Sequence, residues 1–265
     1  MKMNRAKVVL LSESTGRTGF TLLELMVVLG VLAVLISLQL PALAVARGQT
    51  KMGVCASNIR QIALATQVYA IENNNRLPLI TGDASFAWDL PATATLALLN
   101  GGAQTNNFYC PGTAPRFTDL QNWEDQTAPS RNLWNYGAPN FHVTGYAFAF
   151  SGKTASNLNI TNQNNTMLPE AIPLGGTFMP APAPAQRVLL ADATVSQSSS
   201  DHQGPAVNGY DFNQVSAGFY QRQLTPHLNG RIPAGGNLGF KDGHVAWRNF
   251  QAMDERATDS LGFWW

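Results

Sequence analysis

The sequence predicts an α+β protein in which one long N-terminal helix, apolar enough over its first half to span a membrane, packs on an antiparallel β-sheet domain. Three observations carry that prediction. Residues 20–40 form an apolar run whose only formal charge is Glu24. Beyond Pro41, Met52, Cys55, Ile59, Ile62 and Tyr69 recur at intervals of three, four and seven, the spacing of one apolar helical stripe. The later half of the chain holds short apolar alternations separated by Gly, Pro and Asn, the pattern of strands and turns.

The apolar run comes first. At about 1.5 Å per residue, a helix of some twenty residues crosses the roughly 30 Å hydrocarbon core of a bilayer. Lys2, Arg5, Lys7 and Arg17 precede it against the single acid Glu13, and an excess of cations keeps a flank cytoplasmic. The sequence therefore predicts a single-pass inner-membrane protein with a cytoplasmic N-terminus and an exported C-terminal domain. Ala42, Ala44 and Ala46 supply the small residues of a cleavable secretory signal, but the run is longer than the usual h-region and carries Glu24 near its start. A carboxylate there either snorkels to the headgroups or pairs with a cation inside an assembly.

The helical pattern continues to about residue 71, with a bend allowed at Pro41, and stops at Glu72-Asn73-Asn74-Asn75 and Pro78. Between residues 80 and 140, Phe86, Trp88, Phe108, Tyr109, Trp123, Trp134 and Tyr136 lie among Gly, Pro and Asn without sustained periodicity, which predicts loops with short elements. Residues 145–150 and 187–192 read as strands, the second following an exposed, semi-rigid Pro-rich spacer at 179–184. The clearest hairpin joins residues 236–240 to 244–247 through Lys241-Asp242-Gly243, because Asp-Gly between apolar runs favours a tight two-residue turn. Four segments follow: a basic leader at 1–19, a membrane-spanning helix at 20–41, its amphipathic continuation at 42–71, and a loop-rich β-containing domain at 72–265.

Composition narrows the function. Lys+Arg is 17 against Asp+Glu 16, so no nucleic-acid partner is expected. Charged residues are only 12%, with 23 Gly and 15 Pro, a balance that suits an exported domain rich in loops. The sequence holds no GxSxG elbow, HExxH helix, phosphate-binding loop or CxxC pair, so no enzyme is expected. His142, His202, His227 and His244 are far apart with no ligand-like spacing, so no metal set is expected from spacing either. Asp192, Asp201, Asp211 and Asp242 could offer oxygens to Ca²⁺ but match no calcium-loop pattern, and no cofactor is assigned. Cys55 and Cys110 would form one disulfide in an oxidising compartment or remain two buried thiols. The terminal Phe263-Trp264-Trp265 either packs back on the domain or meets a partner.

The stretch Gly19-Phe20-Thr21-Leu22-Leu23-Glu24-Leu25 resembles the processing signal of type IV prepilins and type II secretion pseudopilins. With Phe20 as the first mature residue, Glu24 is fifth and Pro41 twenty-second, where many members carry a helix-kinking proline. The resemblance implies a pilin-like fold, cleavage between Gly19 and Phe20 by prepilin peptidase, and N-methylation of the Phe20 amine. It also implies an assembly role for Glu24, which would neutralise the Phe20 amine of a neighbouring subunit in an apolar filament core. Its partners would be prepilin peptidase, other pilin or pseudopilin subunits in a filament, and the inner-membrane assembly platform.

Two further segments, Cys55-Ala56-Ser57-Asn58-Ile59-Arg60-Gln61 and Phe108-Tyr109-Cys110-Pro111, resemble a subgroup common in Verrucomicrobia and Planctomycetes, as does Asp242-Gly243 followed by His244-Val245. That subgroup carries H-x9-DG near its C-terminus; here Ile232 stands in the histidine's place, with nine residues between it and the Asp-Gly pair, and the nearest upstream histidine is His227. The expected function is a structural subunit of a type II secretion pseudopilus or type IV pilus-like filament. The alternative is a membrane-tethered periplasmic module that binds a ligand such as a carbohydrate, its helix serving only as a tether.

Overall fold

The computed structural model of the chain describes residues 19–80, 86–113, 133–150, 172–174, 177–179, 182–198, 209–215, 224–258 and 261–265. Most of the basic leader, together with Trp123, Asp201 and His202, lies outside them. The chain divides into two compact units, 1–46 and 47–265.

Helix α1 runs without interruption over Leu22–Glu72 and contains Pro41. Its upper part is long and apolar enough to cross a membrane, and none of its most apolar stretch is buried within the protein. The stop falls where the asparagine run predicts: Asn74 and Asn75 adopt left-handed φ angles of 55° and 60°, which asparagine tolerates better than most residues. The Asn75 N–H donates to Ala70 O at 2.7 Å, closing the end of the helix.

Within the second unit, α1 buries Cys55, Ile59, Ile62, Ala63, Ala65, Thr66 and Ala70. Three residues of the apolar stripe, Cys55, Ile59 and Ile62, are thus fully buried, while Met52 and Tyr69 are half-buried. Downstream lie β1 (Asp89–Pro91), α2 (Ala92–Asn100), β2 (Phe141–Val143), β3 (Tyr146–Phe148), β4 (Ile172–Leu174), β5 (Thr177–Met179), β6 (Val188–Asp192) and β7 (Thr194–Ser198). The chain continues through β8 (Tyr210–Asp211), β9 (Leu228–Asn229), β10 (Ile232–Pro233), β11 (Gly235–Phe240), β12 (Val245–Asn249), β13 (Glu255–Thr258) and β14 (Leu261–Trp264). All pairings are antiparallel, as expected.

Two four-stranded sheets dominate, in the orders β12-β11-β6-β3 and β13-β14-β7-β8. Consecutive strands β6 and β7 belong to different sheets and are separated by Ala193 alone. Helix α1 lies along β11. Asn237 donates its side-chain amide to Met52 O, and Gln67 donates to Lys241 O, each at 3.2 Å. Gly239 permits this approach, since a Cβ there would fall 2.6 Å from Ile59 Cγ2. The core around the helix gathers Trp88, Phe108, Tyr146, Phe148, Phe150, Leu190 and Phe263.

Three elements differ from, or go beyond, what the sequence predicts. A nine-residue helix, α2, is one of the short elements expected among loops here, though the sequence does not specify it as a helix. Its Ala-Leu alternation is too short for a convincing period, and it is held by burial of Ala94, Thr95 and Leu98. The β11–β12 connection takes three residues rather than two: Gly243 alone has positive φ, 87°, and Phe240 N–H bonds to His244 O at 3.0 Å. That is the geometry of a turn closed by a glycine bulge. The terminal aromatics pack back on the domain: Phe263 is buried edge-on to Trp88 at 5.2 Å, and Trp264 Nε1 donates to Ser196 Oγ at 2.8 Å.

Candidate functional site

Two places in the chain concentrate functional chemistry. The first is the start of α1. Gly19 and Phe20 are exposed, and among the described residues, its chain neighbours aside, no atom lies within 4 Å of the space beside the Gly19 Cα where a side chain would stand. Thr21 precedes the first helical residue. Its hydroxyl accepts from Glu24 N–H at 3.2 Å, and Glu24 Oε2 accepts from Thr21 N–H and Thr21 Oγ1, both at 2.8 Å. This reciprocal pattern is a capping box, which satisfies donors that the first turn of a helix otherwise leaves open. Thr-x-x-Glu is its sequence signature, and it gives Glu24 a local role besides snorkelling or assembly. Both bonds to the carboxylate fall on Oε2; Oε1 takes part in neither.

The second place is a buried cluster in the other unit, built from four distant stretches. Cys55 comes from the middle of α1. Cys110 follows the 3-10 turn Thr105–Phe108, and its segment is seated by Gly145 N–H on Phe108 O at 2.8 Å and by Tyr109 OH on Val143 O at 2.9 Å. Asp192 closes β6 where the chain passes between the sheets. His227, just before β9, has a left-handed φ of 55°, and its carbonyl accepts from Ala234 N–H at 2.9 Å.

Their ligand-type atoms all lie within 4.8 Å of one another. The Cys55 thiol donates to Asp192 Oδ1 at 2.9 Å, His227 Nε2 meets Cys110 Sγ at 3.4 Å, and the same nitrogen is 3.4 Å from Asp192 Oδ2. Around them, Asn237 N–H donates to Asp192 Oδ2 at 2.7 Å, Gly112 N–H to Cys110 Sγ at 3.3 Å, and Tyr146 OH to Cys55 Sγ at 3.7 Å. Burial pushes the Cys110 thiol well up, and Cys55 and the Asp192 charge add to the effect. Burial likewise raises the Tyr146 hydroxyl, with Cys55 reinforcing it. For His227, burial pulls the pKa down, but hydrogen bonds to Asp192 and Cys55 and their charges outweigh it and raise it to about 9.

The two cysteines that the sequence pairs as a candidate disulfide are therefore neighbours, and both are free thiols here. Asp242 and Gly243 sit in the β11–β12 turn, where Asp242 Oδ1 accepts from His244 N–H at 3.1 Å and Nδ1 at 2.5 Å. Among the described residues, Cys55, Cys110, Asp192 and His227 are the one set of three or more Cys, His, Asp or Glu donors gathered closely enough to hold a metal ion. Sequence spacing gave no sign of it, because each donor comes from a different element.

No curated protein and no solved structure matches the chain. Residues 15–38 match the family described as the prokaryotic N-terminal methylation motif. The start of the chain is thus a prepilin-type signal followed by a helix suited to anchoring in a membrane.

Proposed function

We propose that this chain is a non-enzymatic filament subunit of the pilin and pseudopilin kind, serving a type II secretion pseudopilus or a type IV pilus-like filament. Prepilin peptidase cuts between Gly19 and Phe20, the new amine is methylated, and the helix waits in the inner membrane with the domain on the periplasmic side. Assembly on an inner-membrane platform then packs the helices of successive subunits together. The observation that carries this proposal is the methylation motif over residues 15–38, placed on a helix whose most apolar stretch finds no cover among the described residues of its own chain. Phe20 is 76% exposed and Leu38 71%, a surface that water does not tolerate over such an area and that lipid or neighbouring helices must cover. Glu24 suits this role as well, since its Oε1 is left for the amine of the next subunit while Oε2 holds the cap.

The test is intact mass and N-terminal sequencing of the protein from its native membrane, beside a Gly19→Ala variant. A mature chain that begins at N-methyl-Phe20 and is lost in the variant is expected. An uncut chain, or one cut near Ala44 or Ala46, overturns the proposal and leaves a tethered or secreted domain.

A further inference from the structure

We propose that Cys55, Cys110, Asp192 and His227 form a closed four-ligand site for a thiophilic divalent cation of the zinc class, fastening α1 to β6 and to the segments that carry Cys110 and His227. The inference does not depend on how the N-terminus is processed.

Geometry is the first argument. Metal–sulfur bonds of about 2.3 Å and metal–nitrogen or –oxygen bonds of about 2.0 Å, set tetrahedrally, place neighbouring donors roughly 3.2–3.8 Å apart. Here the measured donor pairs are 2.9, 3.4 and 3.4 Å apart, and no pair exceeds 4.8 Å. Small outward shifts of four side chains would admit the ion. The donor set is the second argument: two sulfurs with an imidazole nitrogen select zinc-like ions, whereas Ca²⁺ and Mg²⁺ require shells of oxygen. Four protein ligands fill the tetrahedron and leave no open position, which makes the site structural.

The surroundings are the third argument. Metal ligands are characteristically oriented by outer hydrogen bonds, and three of the four have one: Tyr146 on Cys55, Gly112 N–H on Cys110 and Asn237 N–H on Asp192. Two glycines make the room. A Cβ on Gly112 would stand 2.9 Å from His227 Cε1 and 3.2 Å from Cys110 Sγ, and one on Gly236 would stand 3.0 Å from Asp192 Cβ. The side chains of Asp192 and His227 are 0% and 4% exposed, and both cysteines are buried. Two cysteines, a histidine and an aspartate gathered at one buried point are a set that one divalent cation can bind together.

The test uses the full-length chain extracted in detergent, reduced, freed of metal and titrated with Co²⁺ alone. One equivalent should bind, giving the visible bands of tetrahedral cobalt and a thiolate-to-cobalt charge-transfer band. Zn²⁺ should abolish both and Ca²⁺ neither. Zn²⁺ should also raise the melting temperature of the metal-free chain, and a Cys55→Ser/Cys110→Ser variant should lose the charge-transfer band and the shift together. Absence of thiolate bands in the reduced wild-type chain overturns the proposal whatever the variant does. So does a Cys55–Cys110 disulfide in the protein taken from its native membrane, shown by intact mass without reduction.

Discussion

Glu24 illustrates how one side chain can carry two duties at the start of a membrane helix. Its Oε2 closes the capping box with Thr21, and an assembling filament would add the amine of a neighbour. The duties separate by mutation. Thr21→Ala should fray the first turn, seen as faster amide exchange there, while leaving the carboxylate in place and filaments forming. Glu24→Ala should be cut after Gly19 yet fail to enter the sheared filament fraction. Asp242 offers a test in the second unit. Slight burial pushes its carboxyl up, but the bonds from His244 N–H and ring, with the His244 charge, outweigh this and hold it below the ordinary carboxylate value. A lowered native pKa stabilises the fold above the unfolded pKa, a contribution lost as pH falls through the native value. The melting temperature should therefore drop on acidification below about pH 4, and Asp242→Asn should flatten that part of the profile.

At the scale of elements, the lower half of α1 has two faces with different fates. One is pressed against β11, where Gly239→Ala should cost about 1–3 kcal/mol by overpacking against Ile59 and Leu190, read by denaturant melts. The opposite face carries Leu64, Val68 and Ile71, 47%, 40% and 78% exposed, at helical spacing along one line. Val68→Asp should leave stability within about 0.5 kcal/mol while blocking incorporation into filaments, because this line is where the next subunit would lie. The helix was legible in the sequence because its signals are local: an apolar run, a period, an asparagine stop. Strands β3, β6, β11 and β12 were legible for the same reason. Helix α2 was not, because two turns of Ala, Thr and Leu have no period to distinguish them. The turn at Lys241-Asp242-Gly243 was located correctly but given one residue too few, since Asp-Gly fits both a two-residue turn and a glycine-bulged one.

For the whole molecule, stability rests on a core that α1 completes, so Ile59→Ala should cost about 2–5 kcal/mol and destabilise both ends of β11 together. Near-balanced charge implies that membrane association comes from the helix rather than from electrostatic attraction. The protein should stay with the membrane through high-salt and alkaline washes and leave it only with detergent. The processing signal was readable because it lies within a few adjacent residues. The buried cluster was invisible because Cys55, Cys110, Asp192 and His227 meet only after α1, the turn ahead of Cys110, β6 and the segment before β9 have docked. Sequence order carries no trace of such a meeting unless related chains are compared.

The placement of β14 bears on timing. This strand lies between β13 and β7, so its sheet cannot close until residues 261–264 have joined strands laid down some sixty positions earlier. In a chain made from its N-terminus, those residues follow the end of β7 by some sixty positions. Until they join, β7 is paired on one side only, with β8, and the sheet stays open along the edge that β14 will fill.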